Sequence, residues 1–179
     1  HLTFTTGFRV KPPPTVLVAY WGYGDLIGPW LSQPSPHKRH QSRTLTPAQM
    51  KAVEAGPPVA NSYSRKGNGG AYYQTCRKLG IWPEKVSGFT ETDAKKFTPF
   101  MAVKNVTPKY PPTLMIHGTK DTDVPHEQSL FMTREFKKHD VPHRLISVKG
   151  GEHGLGGGKS EDIRAARAAV LPFLNKYMK

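Results

Sequence analysis

Cysteine is almost absent: the 179 residues include one, Cys76, so no disulfide can form within the chain and packing must hold the fold. Long apolar runs are missing too. The best are Thr15-Val16-Leu17-Val18-Ala19-Tyr20 and Thr113-Leu114-Met115-Ile116, far short of the roughly 18 residues of a membrane span, so no span is expected. Acidic residues are scarce, 13 Asp+Glu against 26 Lys+Arg, which gives a formal net charge of +13. Such a charge favours polyanions through counterion release. The signatures of specific nucleic-acid recognition are nevertheless lacking, with no recognition helix, zinc-finger spacing or aromatic RNA-binding motif. The densest basic run, His37-Lys38-Arg39-His40 with Arg43 behind it, is short and set among Pro and Ser. It reads as solvated surface, and no specific nucleic-acid partner is expected. There is no internal repeat. The chain opens on His1 rather than Met, without a basic-then-apolar leader, and so reads as processed, trimmed or a fragment.

What is present is a globular composition, 36% hydrophobic and 22% charged, with 17 Gly and 17 Pro that imply many loops. The length suits one domain, 1–179, able to bury roughly 70% of the surface its unfolded chain exposes. Val16 to Tyr20 is a β-branched run between three prolines and Trp21-Gly22-Tyr23-Gly24, the pattern of a buried strand. Residues 25–110 are irregular, with two short helices embedded. One has Thr46 as its cap, Pro47 in its opening position and Gly56 past its end; the other runs from about Ala71 to Leu79 and stops at Gly80. Met50 and Val53, and Tyr72, Cys76 and Leu79, recur at three- or four-residue spacing and are expected to face a core.

Beyond Pro111-Pro112 the pattern is regular. Thr113–His117 predicts a strand, Pro125 to about His139 a helix, Arg144–Val148 a strand, and Ser160 to Met178 a helix. On the last, Ile163, Ala166, Val170, Phe173, Leu174 and Tyr177 form one stripe. Pro172 interrupts it and predicts a kink or restart, because an interior proline costs about 3 kcal/mol. Strand, helix, strand, helix is the grammar of an α/β parallel sheet with flanking helices.

In such a sheet, ligands bind where the loops after the strands' carboxyl ends gather. Asp121 follows one of these strands and His153 the next, so the two can be neighbours, a carboxylate orienting an imidazole for nucleophilic catalysis. An equally simple reading makes Asp121, or Asp123, a loop acid that satisfies free N–H groups ahead of the helix.

Tyr-Pro-Pro-Thr-Leu-Met-Ile-His-Gly-Thr-Lys-Asp-Thr-Asp-Val-Pro at 110–125 and Gly-Gly-Glu-His-Gly-Leu at 150–155 resemble the carboxyl-terminal half of α/β-hydrolases, in the prolyl-oligopeptidase-like and esterase branch. Tyr23-Gly24-Asp25 and Asn105-Val106-Thr107-Pro108 share in the likeness. The resemblance implies a partial α/β-hydrolase fold with 25–110 as a lid-like insertion, Asp121 as triad acid, His153 as triad base, and a small-molecule ester or peptide substrate. Trp21, Tyr23, Trp30, Tyr72, Tyr73 and Trp82 lie in or beside the segment that covers the pocket in that family. Trp21 and Tyr23, at a strand's carboxyl end, are the candidate substrate-binding residues.

The family's serine stands in a Gly-x-Ser-x-Gly elbow, and no serine here has that setting. Ser62 and Ser64 lie in a polar loop, and Ser87 is followed by Gly88 without a matching glycine before it. His-Leu-Thr-Phe-Thr-Thr-Gly-Phe looks like the helix directly after the elbow, so the chain is expected to begin a few residues too late. It would then lack the nucleophile and the oxyanion donors, each such donor being worth about 100- to 1,000-fold in rate, and would be a very poor hydrolase alone. An open strand edge at Val16–Tyr20 would pair with an upstream fragment or drive self-association. A non-catalytic binding or structural protein on the same scaffold is the alternative.

No cofactor or metal is expected. A metal site would recruit His117, Asp121, His126 and His153, none at a recognised ligand spacing. Gly67-Asn68-Gly69-Gly70 precedes a helix but has no strand before it and no Lys-Ser/Thr after it, so it reads as a turn or flexible lid rather than a phosphate loop. Gly154 and Gly156-Gly157-Gly158 read as slack beside the histidine. His37, His40, His139 and His143 are expected at the surface.

Overall fold

The computed structural model describes residues 1–56, 64 and 67–178. In chain order the elements are α1 (Leu2–Arg9), β1 (Leu17–Tyr20), α2 (Pro29–Ser32), α3 (Pro47–Glu54), α4 (Gly69–Leu79), α5 (Trp82–Ser87), α6 (Ala94–Phe97), β2 (Thr113–Gly118), α7 (Glu127–Lys138), β3 (His143–Val148), α8 (Ser160–Ala168) and α9 (Val170–Tyr177). Two compact units emerge, one of His1–Leu26 with Lys95–Lys179, the other of Ile27–Ala94.

The first unit is built on a parallel sheet in the order β1-β2-β3. Leu17 stands opposite Thr113 and Thr113 opposite His143, so the three strands start level; β2 and β3 also end level, while β1 stops at Tyr20, opposite Ile116. All six residues of β2 are buried, as the apolar run 113–116 requires of a central strand covered on both faces. Period-2 alternation then sorts the side chains. Leu17, Ala19 and Met115 meet Phe4 of α1 and Met132 and Phe136 of α7 on one face. Leu114, Ile116 and Val148 meet Ala166 of α8 on the other, with Val18, Tyr20, Ile163, Val170 and Phe173 around them. Leu114, Ile116, Met132 and Phe136 are fully buried, each worth up to roughly 1.5–3 kcal/mol. The spacing of Met132 and Phe136, one helical turn apart, is what lets α7 lie across the sheet between β2 and β3.

The last helix breaks where proline dictates. Pro172 has no N–H for the carbonyl of Ala168, four residues earlier, so α8 ends at Ala168 and α9 restarts at Val170.

The second unit carries its own helix signals. Thr46 and Gln49 form a reciprocal capping box at the start of α3, and Pro47 opens the helix. Asn68 caps α4 by accepting from the Ala71 N–H at 2.8 Å, so the glycine-flanked turn before α4 supplies a cap. Gly80 ends α4 at φ 72°, packed so tightly that a Cβ there would lie 2.4 Å from the Gln33 carbonyl carbon. Two expectations change here. Leu79 is exposed, since the buried face of α4 is carried by Ala71, Thr75 and Cys76; the Thr75 hydroxyl donates to the Ala71 carbonyl and accepts from the Leu45 N–H. His40 is fully buried instead of solvated, because its Nδ1 lies 2.6 Å from the Ser35 hydroxyl and its ring meets the edge of Tyr73. Ser62 lies outside the described residues.

Candidate active site

The three strands deliver their loops to one end of the sheet. β2 ends at Gly118 and reaches Asp121 three residues later; β3 ends at Val148 and reaches His153 five residues later, where a short 3-10 turn, His153–Leu155, begins. The pairing of β2 and β3 continues into these loops: the Thr119 N–H donates to the Val148 carbonyl at 3.0 Å and the Lys120 N–H to the Gly151 carbonyl at 2.8 Å. The loop ends are therefore held side by side before any side chain contributes.

Asp121 divides its carboxylate. Oδ1 accepts from the backbone N–H of Asp123 and of Val124, both at 2.8 Å, while Oδ2 lies 2.9 Å from His153 Nδ1. One oxygen organises the loop and the other faces the imidazole. Because Oδ2 only accepts, His153 Nδ1 carries the proton and Nε2 is left for chemistry. Asp123 Oδ2 lies 3.7 Å from that Nε2. Trp21, following β1, sets its ring 5.4 Å from that of His153; its backbone takes φ 39°, held there by an N–H bond to the Ile116 carbonyl at 2.8 Å. Tyr23 stacks on His1, ring centroids 5.3 Å apart.

A second imidazole supports the acid. His117, fully buried on β2, has Nε2 2.9 Å from the Val124 carbonyl and 3.4 Å from Asp121 Oδ2, with Nδ1 2.8 Å from the Ser129 hydroxyl. A carbonyl only accepts, so Nε2–H is the donor. Burial by itself raises the Asp121 carboxyl pKa. Bonds from His117, the Val124 N–H, His153 and the Asp123 N–H outweigh it and hold the group below the ordinary carboxylate value. The His126 imidazole pKa is lowered as well, by burial and by the nearby His117, and its Nε2 lies 2.8 Å from the Ser147 hydroxyl. Among the described residues no group of three or more His, Cys, Asp or Glu side chains is arranged to hold a metal ion. No helix among them is long and apolar enough to cross a membrane.

Sequence reasoning singled out Asp121, His153 and Trp21, and the fold brings these three together. It did not place His117 beside the acid, nor Ser129 against His117. His117 looked like a strand-end residue, and only the return of the 121–124 loop shows it facing the acid.

Residues 44–179 match the model of the prolyl oligopeptidase family. A protein of unknown function from Staphylococcus aureus subsp. aureus Mu50 superposes with a TM-score of 0.64 at 21% identity, over 92% of this chain and 57% of that one. A puromycin-hydrolyzing peptidase of Mycobacterium tuberculosis superposes with a TM-score of 0.50 at 13% identity, over 90% of this chain and 18% of that one. The chain thus spans little more than half the length of the first neighbour. No curated protein matches it. The shared architecture is part of an α/β-hydrolase fold.

Proposed function

The chain belongs to the prolyl oligopeptidase family, and we propose that it forms the acid- and base-bearing part of a serine hydrolase acting on an ester or peptide carbonyl of a small-molecule substrate. The observation that carries this reading is the 2.9 Å contact between Asp121 Oδ2 and His153 Nδ1, two residues 32 apart in the chain and on different loops. In the reaction, His153 Nε2 takes the proton of a serine hydroxyl as its oxygen bonds to the carbonyl carbon. The same proton passes to the leaving alcohol or amine as the acyl-enzyme forms, and water attacks the acyl carbon by the same route. Asp121 stays ionised, keeps Nδ1–H directed at itself, and offsets the imidazolium charge. Trp21, beside the imidazole, and Tyr23, in the same loop after β1, are the candidate walls of the substrate pocket.

None of the 179 residues stands in a Gly-x-Ser-x-Gly setting, and Ser129 and Ser147 bond His117 and His126 rather than His153. The nucleophile and oxyanion donors are accordingly assigned to sequence outside these residues. β1 pairs on one side with β2, and among the described residues its other side has no strand; an upstream segment or a second copy is the proposed occupant.

The test is fluorophosphonate labelling of the native protein with intact-mass measurement. A labelled species heavier than 19.9 kDa that contains these residues supports the reading. An unlabelled 19.9 kDa species overturns it and favours the second reading, a non-catalytic binding or structural protein on the same scaffold, which the missing elbow motif supports.

A further inference from the structure

Resting on the reading of Asp121 and His153 as acid and base, we infer that Glu152 is the positioning residue that locks the base-bearing loop to the acid-bearing loop. Glu152 immediately precedes His153, and its carboxylate is shared between the two loops. Oε2 accepts from the His153 N–H at 2.6 Å. Oε1 accepts from the Thr122 N–H at 2.9 Å and from the Thr122 hydroxyl. Thr122 immediately follows Asp121, so one side chain binds the residue after the acid and the base itself.

The chemistry calls for a carboxylate. Three donors converge on two oxygens, and only an ionised carboxyl presents acceptors on both sides; an amide of the same shape turns a donor toward one of them. Charge-assisted bonds of this kind are short and about twice as strong as neutral ones. Backbone closes the base-bearing loop on itself, the Glu152 N–H donating to the Gly156 carbonyl and the Leu155 N–H to the Glu152 carbonyl, both at 2.7 Å. Between the two loops the sheet-like backbone pairing ends at Lys120 and Gly151, and past that point the Glu152 carboxylate joins them alongside the Asp121–His153 contact. Backbone thus shapes each loop, and the carboxylate sets the base-bearing loop against the acid-bearing one. A displacement of about 1 Å in a catalytic group can cost on the order of 100-fold in rate.

The test uses proton and nitrogen NMR on the 179-residue chain, reading the far-downfield proton of the His153 Nδ1–H···Asp121 bond and the exchange of backbone amides. Glu152→Gln is expected to keep the amide spectrum of β2 and β3 while the downfield proton disappears, with exchange of the Thr122 and His153 amides rising together by about tenfold or more. Thr122→Val, which leaves Glu152 in place and removes one donor, guards against a misfolded Gln variant; it should accelerate exchange at the His153 amide, 31 residues away in sequence. A downfield proton present in the wild type and unchanged in both variants overturns the role of Glu152 alone. A wild type without that proton overturns the Asp121–His153 pair, and the role of Glu152 with it.

Discussion

Gly118 and Gly151 approach so closely that a Cβ on Gly118 would lie 2.2 Å from the Gly151 carbonyl oxygen. This contact sits where β2 and β3 give way to the loops of Asp121 and His153, and it is backbone against backbone, with no flexible side chain to yield. Gly118→Ala is expected to push the loops apart and destabilise the chain by about 1–3 kcal/mol or more. Urea unfolding measures the loss, and an unchanged midpoint would show that the loops adjust freely.

The depressed pKa of Asp121 links the site to acid stability. A carboxyl whose folded pKa lies below its unfolded value, about 3.9, contributes stability that is complete above that value and lost as pH falls through the folded one. Asp121→Asn should therefore be less stable than the wild type at pH 7, with the gap narrowing below about pH 4. Denaturant titrations at the two ends of that range check the sign; a gap that widens in acid would contradict it.

Trp21 offers an optical readout of its contact with His153. With the two rings 5.4 Å apart, indole emission at a fixed pH is expected to change in His153→Gln, while the contributions of Trp30 and Trp82 stay as they were. Identical emission spectra of the two proteins would contradict the ring contact.

In the unit Ile27–Ala94, the reciprocal bonds between Thr46 and Gln49 satisfy donors at the start of α3. Thr46→Ala should lower stability by about 1 kcal/mol, and Thr46→Ser should restore most of it. Thermal unfolding of the three proteins distinguishes a cap from an ordinary surface threonine, for which no difference appears.

What the sequence determined by itself is local. Thr113–Ile116 reads as a buried strand, Pro172 as an interruption of a helix, and Thr46-Pro47 with Gln49 as a helix start, because each follows from backbone sterics and side-chain period within a few residues. Asp121 and His153 were legible for the same reason: each follows a readable strand, and parallel strands carry their loops to one end. Tertiary structure decided what depends on chain returning from a distance. His40 became buried because Ser35 and Tyr73 close over it, and Leu79 became exposed because Thr75 and Cys76 took the inward face of α4. The second imidazole on Asp121 and the carboxylate of Glu152 shared with Thr122 likewise arise from convergence of loops. No periodicity encodes such contacts, because the directions in which those donors and acceptors point are set only when β2 and β3 lie side by side.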